Sequence, residues 1–355
     1  MPQLFDPFSL RGVTLPNRVG VSPMCEYSSE DGFANEWHFV HLGSRAVGGA
    51  GLVMSEATAV EERGRITAGD LGIWKDAHIE PLARIVRFIE AHGAVPGMQL
   101  AHAGRKASCA LPWKGGQGLL PVEGGWEPIA PSALAFSPQT ILPKAMSEGD
   151  IRAVKDAFVA ATRRALAAGY RWLELHFAHG YLAHSFLSPL SNVREDQYGG
   201  SFENRVRFAL ETTRAVRAVW PEHLPLGVRL SCTDWAEGGW RPEDSVALSR
   251  HLRADGVDLV DCSSGGLVQH QRIPTTPGYQ VPFAKQVRAE ADIPTAAVGL
   301  ITEAAQADAI VRGGEADMVF LARAMLRDPY WALHAALELG QPDRRRIPNQ
   351  YARAF

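Results

Sequence analysis

Short, near-continuously apolar runs recur along the chain, each followed by a stretch of helical period. They are VGVSPM (19–24), GLVMSEATAV (51–60), VPGMQLAHA (95–103), WLELHFAH (172–179), LPLGVRLSC (224–232), VDLVDCSSG (257–265), PTAAVGL (294–300) and ADMVFLAR (316–323). A strand with one wet face alternates apolar and polar residues; these do not, which is the pattern of strands covered on both faces. The helical segments lie at roughly 37–49, 76–92, 150–168, 203–219, 242–254, 279–291, 302–312 and 329–339. In SEGDIRAVKDAFVAATRRALAAG, Ser147 is the expected N-cap, Ile151, Val154, Phe158 and Ala161 share one face, and Gly169 is the stop. Eight such units predict a (β/α)8 barrel of the TIM type rather than a doubly wound sheet. Residues 4–18 are expected to form a β-ribbon capping its bottom. The long Gly-, Pro- and Trp-containing loop 104–146 after the third strand is expected to be a functional lid.

Composition narrows the class without changing that picture. The 355 residues, 46% apolar and 21% charged, are ordinary globular material, and no linker or compositional shift divides them, so one domain spanning 1–355 is expected. A net charge of −3 supplies no basic field for nucleic acid, and the Arg344-Arg345-Arg346 run reads as a solvated part of a tail, 341–355. No run approaches the ~18 apolar residues of a membrane span, nor is there a signal-like amino terminus. No membrane partner and a cytoplasmic location are therefore expected. Cys25, Cys109, Cys232 and Cys262 are too dispersed for a zinc or iron–sulfur motif, and each is by default a small buried hydrophobe.

Barrel enzymes place their chemistry where strands end, and these runs end in polar residues: Ser22-Pro23-Met24-Cys25, Glu56-Ala57-Thr58, Gln99 and His102, His176 and His179, Arg229, Gly299, and Ala322-Arg323. Loops after the seventh and eighth strands commonly hold phosphate, with backbone N–H groups facing the anion. Gly299 lets the backbone approach, Thr302 is the expected N-cap, and Arg323 adds a charged fork. Gln99 offers a donor and an acceptor to a planar heterocycle, and Arg229 a fixed donor. With a phosphate beside them, flavin mononucleotide is the economical ligand, its reduced anionic ring favoured by Arg229.

WLELHFAHGYLAHSF adds His176, His179, Tyr181 and His184 in quick succession. Positions i and i+3 of a strand face opposite sides, so both His176 and His179 point inward only if the chain bends after about Phe177, which Gly180 permits. As N–H donors the imidazoles suit an oxygen that gains negative charge, with Tyr181 as proton source. The alternative is a metal-dependent barrel hydrolase using His176, His179 and a third ligand such as His102. His184 is unassigned.

Taken together, LFDPFSLRGVTLPNRV, SPMCEYS, EATAV, QLAHAGRKAS, ELHFAHGYLAHSFLSPLSNVREDQYGGSFENRVRF, AVGLIT and FLARAMLRDP resemble, in order, the old yellow enzymes. Cys25 after SPM, and His-x-x-His, resemble the bacterial subgroup of xenobiotic reductase A and the Bacillus-type NADPH dehydrogenase. The resemblance implies noncovalent FMN, reduced by NADPH or NADH, that passes hydride to the β-carbon of α,β-unsaturated carbonyl or nitro compounds. It places Ser22, Pro23, Met24, Cys25, Ala57, Gln99 and Arg229 at the flavin, with Cys25 adjusting its potential, and Gly299, Ala322 and Arg323 at the phosphate. His176 and His179 would hold the substrate's oxygen, Tyr181 would protonate the α-carbon, and Tyr27 would touch the ligand. Lys106 would lie near the flavin or the lid. QYARAF resembles a tail that carries an arginine, here Arg353, into the neighbouring subunit's site, which implies a homodimer or homotetramer. Xenobiotic reductase A-like members carry Trp in the seventh-strand segment; Val298 here widens that side of the expected pocket.

Overall fold

Burial on both faces accounts for the apolar runs. β1 (Val19–Val21), β2 (Leu52–Ala59), β3 (Val95–Ala101), β4 (Trp172–Phe177), β5 (Leu226–Ser231), β6 (Leu259–Ser263), β7 (Thr295–Ala297) and β8 (Met318–Leu321) are buried along almost their whole length. Each pairs in parallel with its neighbours in chain order, and β8 returns to β1 through Phe320 opposite Gly20. The eight strands thus form a closed barrel. Helices follow the strands much where the periodicity puts them, among them Glu36–Val47, Ile79–Ala91, Glu148–Ala167 and Phe202–Arg217. The structure, a computed structural model, describes residues 1–343 and 347–354. The Arg344-Arg345-Arg346 run and Phe355 lie outside the described residues.

Local chemistry sets the elements. Ser147 caps the Glu148–Ala167 helix, accepting from the Asp150 N–H at 3.1 Å, while Asp150 accepts from the Ser147 N–H at 3.0 Å. Gly169 follows its end at φ +92°. The face carrying Ile151, Val154, Phe158 and Ala161 is buried; each larger apolar side chain contributes ~1.5–3 kcal/mol by leaving water. Inside the barrel, two glycines make room for large neighbours. A Cβ at Gly20 would sit 2.5 Å from the Phe320 ring, and one at Gly97 only 2.2 Å from the Met54 sulfur. The barrel is therefore packed solid below its carboxyl rim.

The amino-terminal ribbon pairs Phe8–Leu10 with Val13–Leu15. Gly12 N–H donates to the His223 carbonyl at 2.9 Å, just before β5, which puts the ribbon at the barrel's amino end as expected. The 104–146 excursion leaves β3 at the opposite end. It is tied to the loop after β2 by Trp126, whose indole donates to the Arg63 carbonyl at 2.9 Å and whose ring stacks on Arg65 at 4.9 Å. Among the described residues no helix is long and apolar enough to cross a membrane.

Candidate active site

β4 ends at Phe177, and the chain then bends as His176 and His179 require. His179 takes φ +60° and Gly180 φ +75°; the left-handed conformation costs a non-glycine residue ~1–2 kcal/mol. Ser231 meets part of that cost by accepting the His179 N–H at 2.9 Å. The bend gathers three rings: His176 lies 5.1 Å from His179 and 5.1 Å from Tyr181, edge to face in both cases. Burial, and then the charge of Arg229, push the His176 imidazole well below its ordinary pKa. Burial, reinforced by His176, does the same to His179. The Tyr181 phenol is pushed well up by burial. At neutral pH the trio is two uncharged imidazoles and a protonated phenol. His176 Nδ1 is buried without a protein partner, whereas His179 Nε2 is 2.7 Å from the Ser263 hydroxyl. His184 faces away: it accepts from the Gly180 N–H at 2.8 Å and pairs with buried Asp234 at 2.9 Å, so it holds the bend.

Arg229 sits opposite His176 in the β4–β5 ladder. Its guanidinium pairs with Asp261 of β6 at 2.6 Å and donates to Ser22 Oγ of β1 at 2.8 Å. Gln99 of β3 donates to Glu174 of β4 at 2.8 Å. Burial raises the Glu174 carboxyl, and the nearby Asp261 raises it further, while Arg229 opposes both. One guanidinium therefore compensates a strand-to-strand group of buried acids.

A cavity of about 330 Å³ opens where β1, β5, β7 and β8 end, lined by Ser22, Pro23, His179, Arg229, Gly299, Ala322 and Arg323. That volume lies within the roughly 300–1,000 Å³ of small-ligand sites. Gly299 is at φ +113°, and a Cβ there would meet Gln280 Nε2 at 2.5 Å, so only glycine fits. The Arg323–Arg327 turn begins without a side-chain cap, leaving its first N–H groups at the cavity's edge. Thr302 is not the N-cap: the next helix starts at Ala304 with Glu303 in that position, because the chain is still crossing the barrel top with Leu300 at φ +51°. Sequence reasoning also missed Ser263, Tyr279, Gln280 and Arg327 on the cavity wall. Apart from Ser263, which sits just inside the sixth run, they lie beyond the strand-closing positions that the barrel rule singles out: Tyr279 and Gln280 just before a helix, Arg327 at the end of the Arg323–Arg327 turn.

Met24, Cys25 and Tyr27 continue from β1, half-buried. Burial, then Glu56 and Asp70, push the Cys25 thiol well up, so it is protonated at neutral pH. Ala57 and Tyr181 share a smaller crevice with Asp70. A register shift in β2 between Ser55 and Ala57 leaves Glu56 as the extra residue, paired with His38 at 3.3 Å. His102 does not join His176 and His179: its Nε2 faces Glu61 at 2.9 Å, and its Nδ1 accepts from the Gly104 N–H. Among the described residues no three His, Cys, Asp or Glu side chains are grouped to hold a metal. The hydrolase alternative loses its third ligand. Arg353 is exposed on the tail after the Asn349–Tyr351 turn.

Acid exposes the cost of neutral histidines. Burial, and then Arg45, hold His41 down at about 3. Unfolding restores its ordinary pKa near 6.5, so this contribution to stability is full above that value and is lost as pH falls from there towards about 3. Buried Asp70, raised to about 7, opposes this trend because its folded form holds the proton. A His41→Gln variant should therefore lose ~1.4 kcal/mol per pH unit of the acid slope between pH 6 and 4. Denaturant titrations at both ends of that window check this; an unchanged slope would falsify it.

The chain is similar to known proteins along almost its whole length. Residues 3–341 match the NADH:flavin oxidoreductase / NADH oxidase family. The chain belongs to that family. It is 50% identical to an NADPH dehydrogenase of Geobacillus sp. (strain WCH70), over 95% of this chain and 94% of that protein. It is 45% identical to an NADPH dehydrogenase of Listeria monocytogenes serovar 1/2a, over the full length of both. Morphinone reductase in complex with tetrahydroNAD superposes with a TM-score of 0.79 at 28% identity, covering 98% of this chain and 94% of that one. A 2-naphthoyl-CoA reductase reaches 0.86 at 25% identity over 96% of this chain, which spans 52% of that longer protein. The old yellow enzyme resemblance is borne out: this family member is a flavin oxidoreductase with FMN as cofactor and NAD(P)H as reductant. Its residues fit the cofactor. The cavity joins a cationic Arg229 to a glycine-lined end with uncapped N–H groups, the polarity an FMN ring and phosphate require.

Proposed function

We propose that this flavin oxidoreductase is an ene-reductase acting on α,β-unsaturated carbonyl or nitro compounds. The observation that carries the reading is the trio of rings after β4: two neutral imidazoles and a protonated phenol, packed 5.1 Å apart beside the cavity. When bound, FMN takes hydride from NAD(P)H and supplies it to the alkene's β-carbon. His176 and His179 donate N–H bonds to the substrate's oxygen, where negative charge gathers as the double bond is reduced. Because both rings start neutral, that donation adds no competing charge. Tyr181 delivers the proton to the α-carbon. Arg229 and Gln99 hold the flavin's ring, Ala57 and Met24 pack on it, and Gly299, Ala322 and Arg323 hold its phosphate. Tyr27 closes the ligand side. The 104–146 excursion serves as the lid of a single domain, and Arg353 of the tail completes a neighbouring subunit's site in a cytoplasmic homodimer or homotetramer.

The test is a pair of half-reactions on the FMN-loaded protein without oxygen. NADPH should bleach the flavin, and 2-cyclohexenone, a maleimide or a nitroalkene should restore its colour. A flavin that NADPH bleaches and none of these reoxidises would remove the ene-reductase reading. Cys25→Ser should shift the flavin midpoint potential at unchanged FMN content, since it replaces a polarizable protonated thiol with a harder hydroxyl. An unchanged potential returns Cys25 to a packing role.

A further inference from the structure

The HAGRKAS stretch places two adjacent cations, Arg105 and Lys106, on a short turn directly after β3. We infer that this pair is a clasp that positions the His179–Tyr181 turn, by binding the main-chain carbonyls of that turn, of the loop after β6 and of the 104–146 excursion. Arg105 is 3% exposed; it donates to the Leu267 carbonyl at 2.6 Å and to the Leu134 carbonyl at 3.4 Å. Lys106 donates to the His179 carbonyl at 2.8 Å and also to the Gly266 carbonyl. Its ammonium lies 4.1 Å from the centre of Phe136 on the excursion and 5.5 Å from that of Tyr181.

The energetics of this pair are those of cations held without a carboxylate. A cation taken out of water is costly without a counter-charge, yet among the described residues neither the buried Arg105 nor the half-buried Lys106 forms an ion pair with a carboxylate. Burial accordingly pulls Arg105 down to about 10 and Lys106 to about 7. What faces them instead is a set of carbonyl dipoles and aromatic faces. The carbonyls belong to backbone that cannot relax elsewhere. Gly266 is at φ +86°, a Cβ there would lie 2.7 Å from His179 Cα, and a Cβ at Gly180 would lie 2.2 Å from the Gly266 oxygen. The loop after β6 and the histidine turn thus touch main chain to main chain, with both carbonyls aimed at one ammonium. Without that cation the two oxygens would repel each other, and the left-handed His179 would lose a tether.

The inference rests on the proposed roles of His179 and Tyr181, and it assigns Arg105 and Lys106 no contact with the reacting atoms. The test uses the FMN-loaded protein and Lys106→Ala, with added butylammonium or n-butanol. Amide hydrogen exchange in 179–182 and 265–267 should rise about tenfold or more on losing charge-assisted hydrogen bonds. Reoxidation by cyclohexenone should slow in parallel, while FMN remains bound. Butylammonium should reverse both changes and n-butanol neither. Unchanged exchange, or equal rescue by the alcohol, would overturn the clasp. If Lys106→Ala does not fold, Lys106→Gln keeps the stem and removes the charge, with the same exchange readout. Tyr181→Phe separates the two readings. Full alkene reduction in that variant removes the proton donor, whereas the exchange result alone decides the clasp.

Discussion

Arg229→Met is expected to destabilise the protein by about 3–5 kcal/mol, because removing one partner of a buried ion pair leaves the other, Asp261, uncompensated. Asp261, 2.6 Å from the guanidinium, and Glu174, on the neighbouring strand, are both fully buried. Asp261 would then have to take up a proton to remain in the barrel, whereas Glu174, raised to about 8 by burial and by Asp261, already holds one at neutral pH. FMN retention should fall at the same time, since the cation at the ring end of the cavity is gone. The double variant Arg229→Met/Asp261→Leu separates the effects: it should regain much of the stability and none of the FMN affinity. Urea titration with fluorescence, and flavin content after gel filtration, read the two quantities. A single variant as stable as the parent would mean that the pair carries little weight.

Tyr181→Phe should slow reoxidation of the reduced enzyme by enones ~10²–10⁴-fold, the usual contribution of a general acid. The ring should keep its place, since its edge-to-face packing on His176 needs no hydroxyl. Flavin reduction by NADPH transfers no proton to an alkene, so that half should change far less. Stopped-flow traces of the two halves make the comparison. Equal slowing would indicate that the ring's packing, rather than its proton, matters.

The barrel was legible because burial on both faces leaves its mark on every strand: all eight apolar runs became strands, and Ser147 capped its helix as its side chain predicts. The strand-end rule then pointed to Ser22, His179, Arg229, Gly299, Ala322 and Arg323, all of which line the cavity. It failed where partners come from far along the chain. Nothing local tells that His184 meets Asp234 or that His102 meets Glu61, yet these pairs turn one histidine into a strut and withdraw the other from any metal. Gln280 was hidden for a related reason. It reads as helix, and only the fold carries its amide to the Val298 carbonyl at 2.9 Å beside the cavity. Thr302 looked like a cap because its residue type favours one; the loop's path across the barrel top decided otherwise.

The closure of β8 on β1 bears on how the enzyme is made. Ser22 N–H donates to the Leu321 carbonyl at 2.9 Å, and Val319 N–H to the Arg18 carbonyl at 2.9 Å, so the first and last strands stitch the two ends of the chain together. Pro23 and Ala322 reach the same cavity from those ends. During synthesis the cavity therefore stays open on one side until the last strand has left the ribosome. A nascent chain ending before Met318 would present β1 as a bare edge, and the cofactor would meet a gap where its phosphate is to sit. Flavin capture is in this sense a reporter of barrel closure, and a chain that stops before β8 should emerge colourless rather than as a weaker catalyst.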